Sequence, residues 1–169
     1  MNFKQAQIVG FSNRNFFSFV VKRFTKSKWS HVGIIYNVED KHVVIAEALS
    51  NGFVLKKHNK KKLAKRIKNN SAGLREIPVS HCSATLVIRN YLGTKYGKMQ
   101  IGLIAISILF GRQVQGDKDK TLICSEAVAQ IIKKITANAI DIANSYKVPQ
   151  DYIYPKHIMN TILLKRVTK

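Results

Sequence analysis

Acid is what this chain lacks most. Nine Asp and Glu face 29 Lys and Arg in 169 residues, a formal net charge of +20. Such an excess predicts attraction to polyanions: nucleic acid, anionic lipid surfaces or acidic wall polymers. Cysteine is nearly absent. Cys82 and Cys124 make no disulfide framework, and both are expected to be reduced in a cytosolic setting. His81-Cys82 has no second Cys/His pair at zinc spacing, so no metal site and no cofactor are expected. Long apolar runs are missing too. The longest, Ile101 to Phe110, is half the ~20 residues that cross a bilayer, and reads as a buried helix or an interfacial segment. Met1 to Gln7 lacks the features of a signal peptide, so a cytoplasmic location is expected, with a virion or a host cell as alternatives. No internal repeat, low-complexity linker or domain boundary is visible. With 46% hydrophobic residues, one domain over 1–169 is expected, and a monomer.

The stretch Thr121 to Ile135 reads as an amphipathic helix. Ile123, Ala127, Ile131 and Ile135 recur every four residues with Val128 and Ile132 beside them, and Thr121 is the expected N-cap. Cys124 then falls in the first turn, where the helix dipole and unpaired N–H groups favour the thiolate, the nucleophilic form. An arbitrary cysteine is more often a small buried core residue. A His and a Glu far upstream change that reading.

Ala6 to Phe11 is a short apolar run with strand character. Ser12 is the expected cap of a helix whose apolar side, Phe16, Phe17, Val20, Val21 and Phe24, is expected in the core. Trp29 to Tyr36 and His42 to Leu49 are β-rich and form a hairpin across a turn at 37–41. With a three-residue loop, Val38 to Asp40, Asn37 faces Lys41 and His31 falls opposite Glu47 on one face. A carboxylate there holds the imidazole in one tautomer and favours its protonated form. A one-residue slip sends Glu47 to the other face and destroys the pair.

Asn51-Gly52 is a turn, and Phe53 to Leu55 begins a third strand. Lys56 to Lys68 carries eight cationic residues, read either as a solvated helix or loop or as a phosphate-docking patch. No aromatic interleaves, which argues against a single-strand stacking platform. Leu74 to Val79 reads as a strand, Ser83 to Leu92 as a helix closed by Gly93, Thr136 to Ala143 as a continuation or a short helix, and His157 to Val167 as a terminal helix or strand.

Cysteine at a helix start, His on a strand and a carboxylate facing that His are the set used for thiolate attack on a carbonyl. His42, His58, His81 and His157 have no equally placed acid. The sequence also carries a resemblance. Ser30-His31-Val32-Gly33-Ile34, then Ile45-Ala46-Glu47-Ala48, Gly93 to Tyr96, Cys124-Ser125-Glu126 and Tyr154-Pro155 resemble the permuted papain-like amidases, the YiiX/YaeF-like branch of the NlpC cell-wall peptidase superfamily. Lecithin:retinol acyltransferase is a more distant relative. The likeness spans about Gln7 to Ile158, and Ala6-Gln7 departs from the Gly-Asp with which the family often opens.

The resemblance implies a circularly permuted α+β fold of papain-like, NlpC type, a small antiparallel sheet packed with helices. It implies a cysteine hydrolase or acyltransferase acting on an amide or ester in a peptide, a cell-wall peptide or a lipid. Cys124 is then the nucleophile, His31 the base, Glu47 the orienting acid and Tyr96 an oxyanion contact. The alternative is a basic protein that binds nucleic acid or a membrane surface, through Lys56 to Lys68 or, for a membrane, the Ile101 to Phe110 run as well. The charge also serves to bring an enzyme to an anionic substrate.

Overall fold

A computed structural model describes residues 1–78, 81–95, 124–150, 153–161 and 164–166. Its centre is a sheet of six strands: β1 (Ile8–Phe11), β2 (His31–Val38), β3 (His42–Leu49), β4 (Gly52–Asn59), β5 (Ala72–Glu76) and β6 (Lys165–Arg166). They run in the spatial order β4-β3-β2-β1-β5-β6, every pair antiparallel. Among the described residues the helices are α1 (Phe16–Thr25), α2 (Lys60–Lys68), α3 (His81–Arg89), α4 (Cys124–Ile135), α5 (Ile142–Tyr146) and α6 (Pro155–Asn160). The fold class is α+β.

Both faces of the sheet are covered, so β1, β2 and β3 bury residues of either parity and read as apolar runs rather than clean alternation. On one face Ile8, Val32, Ile34, Ala46, Ala48 and Phe53 meet Ala127, Val128, Ile131 and Ile132 of α4. On the other, Val9, Phe11, Ile35, Val43, Ile45 and Leu74 meet Leu63 and Ile67 of α2. Those two residues, four apart, are the apolar stripe of an otherwise cationic helix, so the basic stretch is a half-buried element rather than a loop. Asn59 caps it by accepting from Lys62 N–H. Lys56 and Lys57 belong to β4, which continues well past Leu55.

The hairpin differs from expectation in a way that decides the site. Glu39 N–H donates to His42 O, so the turn is tighter than the three-residue loop, and Val38 pairs with Val43. That register alone would place Glu47 opposite Ile34, on the face away from His31. A bulge at Tyr36 removes one residue from the count, and from Ile35 onward the register becomes Ile35↔Ile45, Ile34↔Ala46 and Gly33↔Glu47. Parity is restored. Glu47 lies opposite Gly33 instead of His31, on the same face and one diagonal step away.

α1 also departs from expectation. Its cap is Asn15, whose Oδ1 accepts from Ser18 N–H at 2.8 Å, and not Ser12. Phe16 and Phe19, the first of them expected in the core, are 83% and 62% exposed. The side turned inward carries Ser18 and Thr25. The helix is an excursion between paired strand ends, since Phe11 at the end of β1 faces His31 at the start of β2. Val20 and Val21 are half-buried, and the side chains of Phe17 and Phe24, also expected in the core, lie outside the described residues. Thr136 to Ala143 holds a turn and the start of α5, and the tail forms α6 and β6. Thr121, Tyr96 and the Ile101 to Phe110 run lie outside the described residues.

Candidate active site

His31 opens β2, and Glu47 reaches it by leaning across Gly33. A Cβ on Gly33 would sit 2.6 Å from Ile45 Cγ2, 2.9 Å from Ala46 O and 3.4 Å from Glu47 Cβ. The glycine of Ser30-His31-Val32-Gly33-Ile34 is therefore a spacing requirement, the gap through which a carboxylate crosses to the imidazole. His31 Nε2 and Glu47 Oε2 are 2.7 Å apart, with 14% of the histidine and 3% of the glutamate side chain exposed.

Nε2 being committed to Glu47, the nitrogen left for a second partner is Nδ1. That partner is Cys124, the first described residue of α4, which packs against β2 and β3. The thiol is buried, and burial alone would push its pKa up. The positive field of His31, a hydrogen bond from its ring and the N–H groups of Val32 and Ser125 outweigh that, and the pKa falls below the usual thiol value. Burial likewise opposes a charged His31. The Cys124 charge and hydrogen bonds to Cys124 and Glu47 win, and its pKa rises to about 10. Glu47, though desolvated, is held at about 2 by His31 and by a second histidine, His58. All three shifts run in the direction of thiolate, imidazolium and carboxylate.

Sequence reasoning left His58 without an acid. In the structure its Nε2 donates to Glu47 Oε1 at 2.5 Å, so each carboxylate oxygen has its own imidazole. Phe11 lies against both rings, 5.8 Å from His31 and 5.6 Å from His58, and the Arg66 guanidinium sits 4.9 Å above Phe11. The signal was parity. In a β4 that runs to Asn59, His58 faces Val43, which shares its face with Glu47. A strand ended at Leu55 hides this.

The other histidines stand apart. His42 lies 4.0 Å from Glu39 on an exposed corner. His157 packs against Tyr146 and Tyr154, accepts from Tyr154 N–H, and is pushed down to about 4 by burial and by Lys156. Tyr96, the expected oxyanion contact, and the side chains of His81 and Cys82 are outside the described residues.

No family model matches the sequence, and no curated protein does. Among solved structures, the metalloprotein YiiX from Escherichia coli O157:H7 superposes with a TM-score of 0.65 over 98% of this chain and 97% of that one, at 16% identity. The chain shares its fold with YiiX. At that identity the likeness with YiiX establishes the architecture alone. No helix among the described residues is long and apolar enough to cross a membrane.

Proposed function

We propose that this chain is a cysteine hydrolase or acyltransferase of the permuted papain-like type, one domain over 1–169, acting on an amide or ester. The observation that carries this reading is His31 held between Cys124 and Glu47, with all three charges shifted toward the thiolate–imidazolium–carboxylate state. The Cys124 sulfur attacks the substrate carbonyl carbon, and the carbonyl electron pair moves onto oxygen. As the tetrahedral species collapses, the bond to nitrogen or oxygen breaks, and the leaving group takes the proton from His31 Nδ1. A thioester remains on Cys124. Water, or an acceptor hydroxyl or amine, then gives its proton to His31 and attacks that thioester, releasing the acyl product and restoring the thiolate. Glu47 stays ionised and steadies the imidazolium. The N–H groups of Val32 and Ser125, which donate to the Cys124 sulfur, are the proposed donors to an oxyanion on the adjoining carbon. Tyr96 is the further oxyanion contact the resemblance suggests. In the chain the order is His, acid, Cys, permuted from the Cys–His order of papain.

YiiX is described as a metalloprotein. Among the described residues of this chain, no group of three His, Cys, Asp or Glu side chains is arranged to hold a metal ion. His31 and His58 instead turn their Nε2 atoms to Glu47, and no step above passes through a metal.

The test is labelling with a haloacetamide. The wild type is expected to be alkylated rapidly at Cys124, located by peptide mass and distinguished from Cys82 by Cys124→Ala. His31→Ala is expected to slow that alkylation at neutral pH by about 100-fold or more. Equal rates in the two proteins would remove the basis of the reading.

A further inference from the structure

α1 turns two of its phenylalanines away from the protein. Ser18 and Thr25, seven residues apart, face the protein and are 3% and 4% exposed, while Phe16 and Phe19 face solvent. Large apolar side chains exposed side by side on one helix mark a surface that something covers. The flanking charge is of one sign: Arg14, Arg23, Lys26 and Lys28 are all exposed, and the first turn of α1 holds no acid. We propose that α1 docks this protein on an anionic lipid bilayer, Phe16 and Phe19 entering the acyl boundary while the surrounding cations meet the headgroups.

Three physical arguments select this occupant. A second copy would bring two cationic rims together within a molecule of net charge +20, so self-association through this face is opposed. Paired phenylalanines and flanking cations are the two halves of an interfacial helix, and a bilayer takes protruding rings without needing a matched cavity. Each cation near an anionic surface adds a further attraction that salt screens. The placement also fits the candidate chemistry. α1 leaves the sheet after Phe11 and returns to it at His31, and Asn13 N–H, just before the helix, donates to Ser30 Oγ at 3.1 Å beside that histidine. A docked α1 holds the His31 end of the sheet at the membrane surface. The docking surface does not depend on Cys124 reacting.

The test is co-sedimentation of the full-length protein with phosphatidylcholine vesicles, with and without phosphatidylserine. Binding is expected only where phosphatidylserine is present, and is expected to weaken with salt. Phe16→Ser/Phe19→Ser is expected to cut the affinity by about tenfold per ring with an unchanged melting temperature, because neither ring is packed. Phe16→Leu/Phe19→Leu should retain most of it. Phe19→Trp should shift its emission to the blue on anionic vesicles. Three results overturn the proposal: no sedimentation with anionic vesicles; equal binding by the serine double variant; or a single-stranded oligonucleotide bound more tightly than vesicles, with only that binding lost on removing the rings. Cys124→Ala should sediment as the wild type does, so a failed labelling experiment and a failed docking experiment are separable.

Discussion

α1 and α4 are both amphipathic by the same periodicity, yet the fold uses them in opposite senses. In α4 the apolar stripe is wholly inward, with Ala127, Val128, Ile131 and Ile132 against β2 and β3. In α1 Phe16 and Phe19 face out, and a serine and a threonine take inner positions. Periodicity shows that a helix has two unlike sides. Which side is covered depends on what the rest of the chain leaves beside it. α4 follows β1 to β5 in the chain and lies along their apolar surface, and its first turn brings a thiol to the start of β2. α1 spans a gap between two strand ends that are themselves paired, and there Ser18 and Thr25 are buried while Phe16 and Phe19 are not.

The sharpest way to break this contrast is at the start of α4. His31→Ala should lower Cys124 alkylation the most, and it should also change the pH profile. In the wild type, alkylation is expected to begin below the usual thiol pKa, because the His31 imidazolium favours the thiolate. In the variant the lower limb should move up toward ordinary thiol values. An identical profile would mean that the histidine does not set the thiolate.

Next come the two helices compared directly. Ile131→Ala should cost roughly 2–5 kcal/mol in urea unfolding, since it empties a fully buried site. Phe19→Ala should stay within about 0.5 kcal/mol. Comparable losses would show that the α1 rings are packed after all.

Of similar size is the acid limb of stability. The Glu47 carboxyl is held at about 2 against an ordinary value of 4.5, so the folded protein binds fewer protons than the unfolded chain in that interval. The stability it contributes, about 3 kcal/mol, is present above about pH 4.5 and is lost as pH falls through about 2. Glu47→Gln should flatten that limb, and an unchanged acid profile would place the effect elsewhere. The smallest catalytic effect expected is from His58→Gln, about tenfold in alkylation or turnover, because Glu47 keeps its bond to His31 and loses only the second support. A large effect would make His58 a direct participant.

Much of this was readable before any fold was known. The runs at Ala6 to Phe11, Trp29 to Tyr36 and His42 to Leu49, the turn at Asn51-Gly52 and the spacing from Ile123 to Ile135 are local patterns, and strands at Ile8–Phe11, His31–Val38 and His42–Leu49 and a helix at Cys124–Ile135 lie within or beside them. The meeting of His31 with Glu47 was reached by a register that the structure replaces. A tighter turn shifts the strands off parity, and the bulge at Tyr36 shifts them back. Two irregularities cancel, and no local pattern in 29–49 announces either. His58 escaped for a related reason, as the lysines of β4 mask a strand that lasts until Asn59.

Residue order by itself determined the helix that starts near Cys124, the two strands carrying His31 and Glu47, and the cationic character of the surface, because each depends on side chains a few positions apart. Tertiary structure alone decided which side of α1 meets water, how far Glu47 sits from its imidazole, and that a second histidine shares its carboxylate. Those outcomes depend on turn length, one bulged residue and the surfaces left open once the sheet has formed. Such terms accumulate along the chain, and a change of one residue in any of them reverses the face on which every later side chain appears.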